Sequence, residues 1–140
     1  GNAGFSSAIQ AAMPMGAQTD LLSQRTREIS ASADRGGIWR KFLGGTQSDR
    51  PATYRQASPL THLDQADSPC WFMAGEKDDP STHADSFRQR AEKLGVPMGL
   101  TIVKNAPHGF LNQQQWFDEM LETADRFFSK QLKQEADLAD

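Results

Sequence analysis

Cysteine is nearly absent: Cys70 is alone among 140 residues. No internal disulfide can form, and the side chain sits in the apolar run Pro69-Cys70-Trp71-Phe72-Met73, where it reads as a small buried hydrophobe. Long apolar runs are missing too. No stretch approaches the ~18 apolar residues of a membrane span, so none is expected. Positive charge is not in excess: 15 Lys and Arg stand against 18 Asp and Glu, for a net charge of −3. Without a basic run or stripe, a nucleic-acid partner is not expected. There is no Walker loop and no G-x-G-x-x-G opening a helix, and Gly36-Gly37 and Gly44-Gly45 read as turn or helix-end glycines. No His/Cys cluster has zinc-ligand spacing. Glu76, Asp78 and Asp79 crowd one loop, but such carboxylates lack the alternation of a calcium loop and read as solvated. Neither a metal nor a cofactor is therefore expected. Repeats and low-complexity segments are absent. The start, Gly1-Asn2-Ala3-Gly4, reads as neither signal peptide nor initiator methionine. The chain is accordingly expected to be part of a longer protein, with its cellular location left open.

What is present is enough for one domain with a modest core, since 37% of residues are hydrophobic. Three short apolar runs predict buried parallel strands: Ala8 to Met15, Cys70 to Ala74 closed by Gly75, and Leu100 to Val103. Thr101, Ile102 and Val103 are β-branched, which favours a strand. Helical spacing of Phe87, Ala91 and Leu94 predicts a helix over Asp85 to Leu94, capped by Ser81 or Thr82 and stopped by Gly95 and Pro97. A longer stripe of Phe117, Met120, Leu121, Ala124, Phe127, Phe128 and Leu132 predicts a final amphipathic helix packed on the core. Shorter helices are expected at Leu21 to Ile29, Ile38 to Leu43 and Pro51 to Gln56. Residues 1–133 thus read as one partial domain and 134–140 as a polar tail that frays. The order strand, helical excursion, strand, helix, strand, helix implies an α/β fold of about three parallel strands with flanking helices.

Parallel α/β sheets carry functional groups just beyond the carboxyl ends of their strands. Two such places hold suitable residues. Gly75-Glu76-Lys77-Asp78-Asp79-Pro80 follows the second strand, and Asn105-Ala106-Pro107-His108-Gly109-Phe110 follows the third. An acid on one loop can accept the Nδ1–H of a histidine on the next and fix its tautomer. Nε2 is then free to take a proton from a hydroxyl. Asp79 competes with Asp78 for the acid's place, and Asp78 also suits a loop or the cap of a following helix. His62, in a polar connection, and His83, near a helix start, read as solvated.

Here the sequence resembles a known family. Gly75-x-x-Asp78, a helix ending Lys93-Leu94-Gly95-Val96-Pro97, a strand, and then His108-Gly109-Phe110 look like the end of esterase/lipase α/β-hydrolases. The likeness is greatest to the branch with acetyl-xylan, feruloyl and hormone-sensitive-lipase-like esterases. Ala8 to Asp20 is similar to that family's sixth strand and its loop. Phe42-Leu43-Gly44-Gly45 and Tyr54 to Pro59 are similar to its lid-side helices. The resemblance covers roughly residues 7 to 132. It implies that the chain is the C-terminal half of an α/β-hydrolase fold, with Asp78 the acid and His108 the base of a catalytic triad. Asp78 is favoured over Asp79 by its spacing from Gly75.

The family's nucleophile stands on a G-x-S-x-G elbow between a buried strand and a helix. Gly4-Phe5-Ser6-Ser7-Ala8 mimics that motif, but only three residues precede it and a strand follows, so Ser6 reads as loop. The expected activity is carboxylic-ester hydrolysis by the complete protein, with the nucleophile in a missing N-terminal half and this chain inactive alone. The alternative is a non-catalytic α/β assembly module. Either way a bare strand edge is expected to drive self-association. A nucleotide-binding domain ranks last, since nothing cradles a phosphate.

Overall fold

The structure, a computed structural model, describes residues 4–35 and 37–136. Residues 1–3, Gly36, which the sequence reads as a turn or helix-end glycine, and residues 137–140, most of the expected tail, lie outside the described residues. In chain order the helices are α1 (Gln24–Ala31), α2 (Gly37–Leu43), α3 (Pro51–Ala57), α4 (Pro59–His62), α5 (Asp85–Leu94) and α6 (Gln114–Ala136). The strands are β1 (Cys70–Gly75) and β2 (Met98–Val103), with α5 between them.

β1 and β2 pair in parallel, from Cys70 opposite Met98 to Gly75 opposite Val103. The register places the loops that follow β1 and β2 at the same end of the pair. The first apolar run does not form a regular strand. It meets β1 at two isolated parallel bridges, Ala12 with Cys70 and Met15 with Met73. The cause is Pro14. Ala12 donates to Pro69 O and accepts from Trp71 N, and Pro14 O accepts from Met73 N. The bond between them needs an N–H at position 14, which proline lacks. The segment still occupies the third lane, so the sheet runs from residues 12–15 through β1 to β2.

One core cluster lies between β1 and α5: Leu63, Phe72, Ala84, Phe87, Ala91 and Val96. Phe72 is 1% exposed and meets Phe87 edge-on at 5.5 Å. Burying one such ring stabilises by about 1.5–3 kcal/mol. A second cluster, Met73, Val103, Ala106 and Phe110, receives Trp116 and Met120 from α6. Ala106 of this cluster belongs to the loop that follows β2, so the cluster seats that loop. Trp71 lies across Gly99, its partner in register, and its Nε1 donates to Thr101 Oγ1 at 2.9 Å. A third cluster, Leu21, Leu43 and Tyr54, holds the helical excursion together.

Local expectations fare unevenly. α5 spans the expected residues and ends on Gly95 at φ +74. Its start differs, because Ser81 and Thr82 cap nothing there. They belong to a 3-10 turn, Pro80–His83, which Asp79 caps by accepting from Ser81 N. α5 follows from Ala84 in the left-handed region, without a side-chain cap. α6 continues past Lys133 to Ala136. Its apolar stripe is wider than the core it meets: Phe127 is buried, whereas Leu121 and Leu132 are about half exposed. Cys70 is half-buried against the Phe72 cluster, and burial pushes its thiol pKa up, with Asp67 adding. Among the described residues, no helix is long and apolar enough to cross a membrane.

Candidate active site

Residues 75–79 and 104–109 leave adjacent strands side by side and are stitched together by backbone. Glu76 N donates to Val103 O at 3.0 Å, and Lys77 N donates to Ala106 O at 2.9 Å. Glu76 adds a side-chain tie, its Oε2 accepting from Asn105 N at 2.8 Å. That bond steadies a turn in which Asn105 takes φ +58, a conformation asparagine tolerates better than most residues. Gly75 permits the close approach. A methyl there would lie 2.8 Å from Pro107 O and nearer still to the Ala106 carbonyl.

This stitching brings the expected pair together. His108 Nδ1 lies 2.9 Å from Asp78 Oδ2. The Asp78 side chain is 5% exposed, that of His108 72%. Asp78 Oδ1 is engaged separately, accepting from Asp79 N at 2.6 Å. The carboxylate is therefore fixed from both oxygens, while the imidazole presents its remaining edge outward. Such a pair can hold a ring tautomer and move a proton at Nε2.

The rival carboxylate points elsewhere. Asp79 accepts from Arg25 Nε at 3.1 Å and Arg25 Nη2 at 2.5 Å, and from Ser81 N and Oγ at 3.1 and 2.8 Å. Arg35 adds a longer contact of 3.5 Å. The Arg25 hydrogen bonds, with those from Ser81, hold the Asp79 carboxyl far below the usual carboxylate range despite its partial burial. Asp79 is thus the capping carboxylate and Asp78 the one facing His108.

Gly16, absent from the expected site, covers the pair. At φ +58 it lies so close that a methyl would sit 3.3 Å from His108 Cε1 and 3.4 Å from Asp78 Oδ2. A glycine after an apolar run was the only signal in sequence. His83 corrects its expected solvation: the residue is half-buried, and its Nε2 is buried with no hydrogen-bond partner. His62 is exposed, with Nε2 2.8 Å from Gln56 O. Ser6 lies in exposed coil, its Oγ accepting from Ala8 N. Among the described residues no helix follows it before α1.

Asp78 and His108 line an open cleft of about 740 Å³. Its far wall is α2, with Ile38 and Phe42 each 78% exposed, and Trp39 packed on Tyr54. A larger depression of about 900 Å³ lies beside Arg27, Pro51 and His62, away from the pair. It contains no acid–base pair, so the smaller cleft is the candidate site. No group of three or more His, Cys, Asp or Glu among the described residues is placed to hold a metal ion.

A βαβ unit whose strand-end loops join an Asp to a His, preceded by a third parallel lane and closed by a long helix, corresponds to the C-terminal half of an α/β-hydrolase fold. The chain belongs to the prolyl oligopeptidase family, which it matches over residues 12–135. Its fold is similar to that of a truncated carbohydrate esterase from gut microbiota: TM-score 0.65, 16% identity, covering 91% of this chain and 44% of that one. It is also similar to a thermophilic esterase from the Planctomycetes species Thermogutta terrifontis. The propionate-bound form gives TM-score 0.59 and 23% identity, covering 93% of this chain and 46% of that one. The native form gives the same score and identity, with 45% of its chain covered. The chain therefore spans a little under half the length of these structures. Comparison with curated proteins gives no significant match.

Proposed function

We propose that Asp78 and His108 are the acid and base of a serine-type acyl-transfer site acting on carboxylic esters. The observation that carries this reading is the 2.9 Å contact between His108 Nδ1 and Asp78 Oδ2 across neighbouring strand ends. In this scheme Nδ1–H donates to ionised Asp78, and Nε2 takes the proton of a serine hydroxyl as it attacks the ester carbonyl. His108 then returns that proton to the departing alkoxide, and water repeats the cycle on the acyl-enzyme. Asp78 holds the tautomer and stabilises the imidazolium that forms. The serine and the oxyanion donors are assigned to the half of the hydrolase fold that this chain does not span. Alone, the chain is expected to be inactive.

Membership of the prolyl oligopeptidase family supports the reaction class. The likeness of fold to two esterases favours esters over peptides as substrates. The test uses the complete protein on a short p-nitrophenyl ester, with a proline anilide alongside. Asp78→Ala and His108→Ala should each lower kcat/KM by about 10⁴-fold. Undiminished hydrolysis in both variants would remove these residues from the mechanism. Turnover of the anilide alone would replace ester with peptide.

A non-catalytic assembly module is the second reading, and one feature favours it. Among the described residues nothing pairs with the outer edge of the 12–15 lane, and Phe5 and Ile9 beside it are 82% and 64% exposed. An open, apolar edge of this kind recruits another strand.

A further inference from the structure

We propose that the Arg25–Asp79 ion pair is a positioning device for the acid: by anchoring Asp79 it aims that residue's amide at Asp78 Oδ1 and reserves Oδ2 for His108. The inference rests on the reading of Asp78 and His108 as acid and base. The two oxygens of Asp78 are divided between a backbone N–H at 2.6 Å and an imidazole at 2.9 Å. A carboxylate held at one oxygen only can rotate, and its other oxygen then leaves the histidine. The Asp79 backbone is held at its carbonyl, which accepts from Thr82 N and Oγ1 at 2.9 and 2.7 Å, and through its side chain, 14% exposed, which the Arg25 fork and Ser81 anchor. Nε and Nη2 converge on Oδ2, with Nε also 3.3 Å from Oδ1, while Ser81 holds Oδ1; a planar guanidinium gives such a contact a direction that a point charge does not.

Arg25 stands on α1, 54 residues away and outside the βαβ unit. α1 is itself fixed: Ser23 caps it by accepting from Thr26 N, and Thr26 and Ser30 are fully buried. Arg35, at the entrance to α2, reaches the same carboxylate at 3.5 Å. The helical excursion that builds the cleft wall thus also sets the acid. The Asp78→Ala variant separates this role from that of a triad acid: with Asp79 as the acid, removing Asp78 would leave the histidine tautomer in place.

The experiment uses this chain, with no activity required. The tautomer of neutral His108 is read from its imidazole ¹⁵N shifts in wild type, Asp78→Ala, Arg25→Gln, Arg25→Lys, Asp79→Asn and the Arg25→Gln/Asp79→Asn double variant. Circular dichroism checks each fold. Wild type is expected to be mainly Nδ1–H, and Asp78→Ala to revert to the Nε2–H majority of a free imidazole. Arg25→Gln and Asp79→Asn should shift the same way, with Arg25→Lys intermediate. The double variant should go no further than the stronger single one, as members of one unit do. Arg25→Lys, which keeps the charge, carries the test if the glutamine variant does not fold. Wild-type ratios in all the folded Arg25 and Asp79 variants would overturn the inference while leaving the acid–base pair standing. A wild type without Nδ1–H excess, or one unmoved by Asp78→Ala, would overturn that pair itself.

Discussion

Gly75→Ala tests the arrangement of the two loops with a single methyl group. The added carbon would lie 2.8 Å from Pro107 O and nearer still to the Ala106 carbonyl, where ordinary contact begins at 3.4 Å. These are backbone atoms of a loop already tied to Lys77 and Glu76, so no rotamer change relieves the clash. The loops must part by roughly 1 Å, a displacement of the size that costs about 100-fold in rate when it falls on reacting groups. Overpacking of this kind costs about 1–3 kcal/mol. Losing the Lys77–Ala106 hydrogen bond adds about 1 kcal/mol. Together they predict about 2–4 kcal/mol of destabilisation, a fall in Tm of roughly 10 °C for a domain of this size. Thermal circular dichroism of this chain measures it, and ester turnover by the complete protein reports the displacement. Gly37→Ala is the matched control. Gly37 opens α2 and nothing lies within 4 Å of its added methyl, so its change should stay within about 0.5 kcal/mol. Only Gly75→Ala should destabilise. A Gly75→Ala chain within about 0.5 kcal/mol of wild type, the range of an inert surface change, would mean that the loops do not approach as described.

Phe72→Ala, at a site 1% exposed, should cost about 3–5 kcal/mol in urea unfolding; a loss under 1 kcal/mol would mean the β1–α5 core is not packed around this ring. Asp79 gives a pH dependence of definite sign. Its pKa is depressed in the folded chain by Arg25 and Ser81, with Arg35 also facing it. Its contribution to stability is therefore fully present above the unfolded value of about 3.9. It fades as pH falls from there toward the depressed folded value. Arg25→Gln should flatten the acid limb of the stability curve below about pH 4, and an unchanged limb would contradict the pairing. The open edge of the 12–15 lane predicts self-association, which light scattering at roughly tens of micromolar would detect; replacing Ile9 by Lys should weaken it, and a monomeric wild-type chain would refute it.

Much of the fold is written locally. The spacing of Phe87, Ala91 and Leu94 marks α5, and the apolar runs before Gly75 and through Val103 mark the two strands, because burial on one face repeats at the period of the element. Asp78 and His108 were legible for a related reason: each sits where a parallel strand ends, and strand ends can be read from sequence. The break at Pro14 was missed: the expected strand over Ala8 to Met15 ran through it, although a proline lacks the N–H that the ladder needs there.

The rest was decided by approaches between distant residues. Asp78 and Asp79 are neighbours of the same chemistry, and only the family resemblance, through the spacing from Gly75, favoured Asp78; residue type and burial pattern do not separate them. That choice is made by Arg25, 54 positions earlier, which takes one carboxylate and leaves the other. Gly16 over the pair and His83 with its buried Nε2 are likewise products of packing. Local periodicity records which side of an element is buried, but not what it is buried against. The sequence alone therefore determined β1, β2, α5 and most of α6, whereas the partners of the two neighbouring carboxylates were set only when the helical excursion folded back over the sheet.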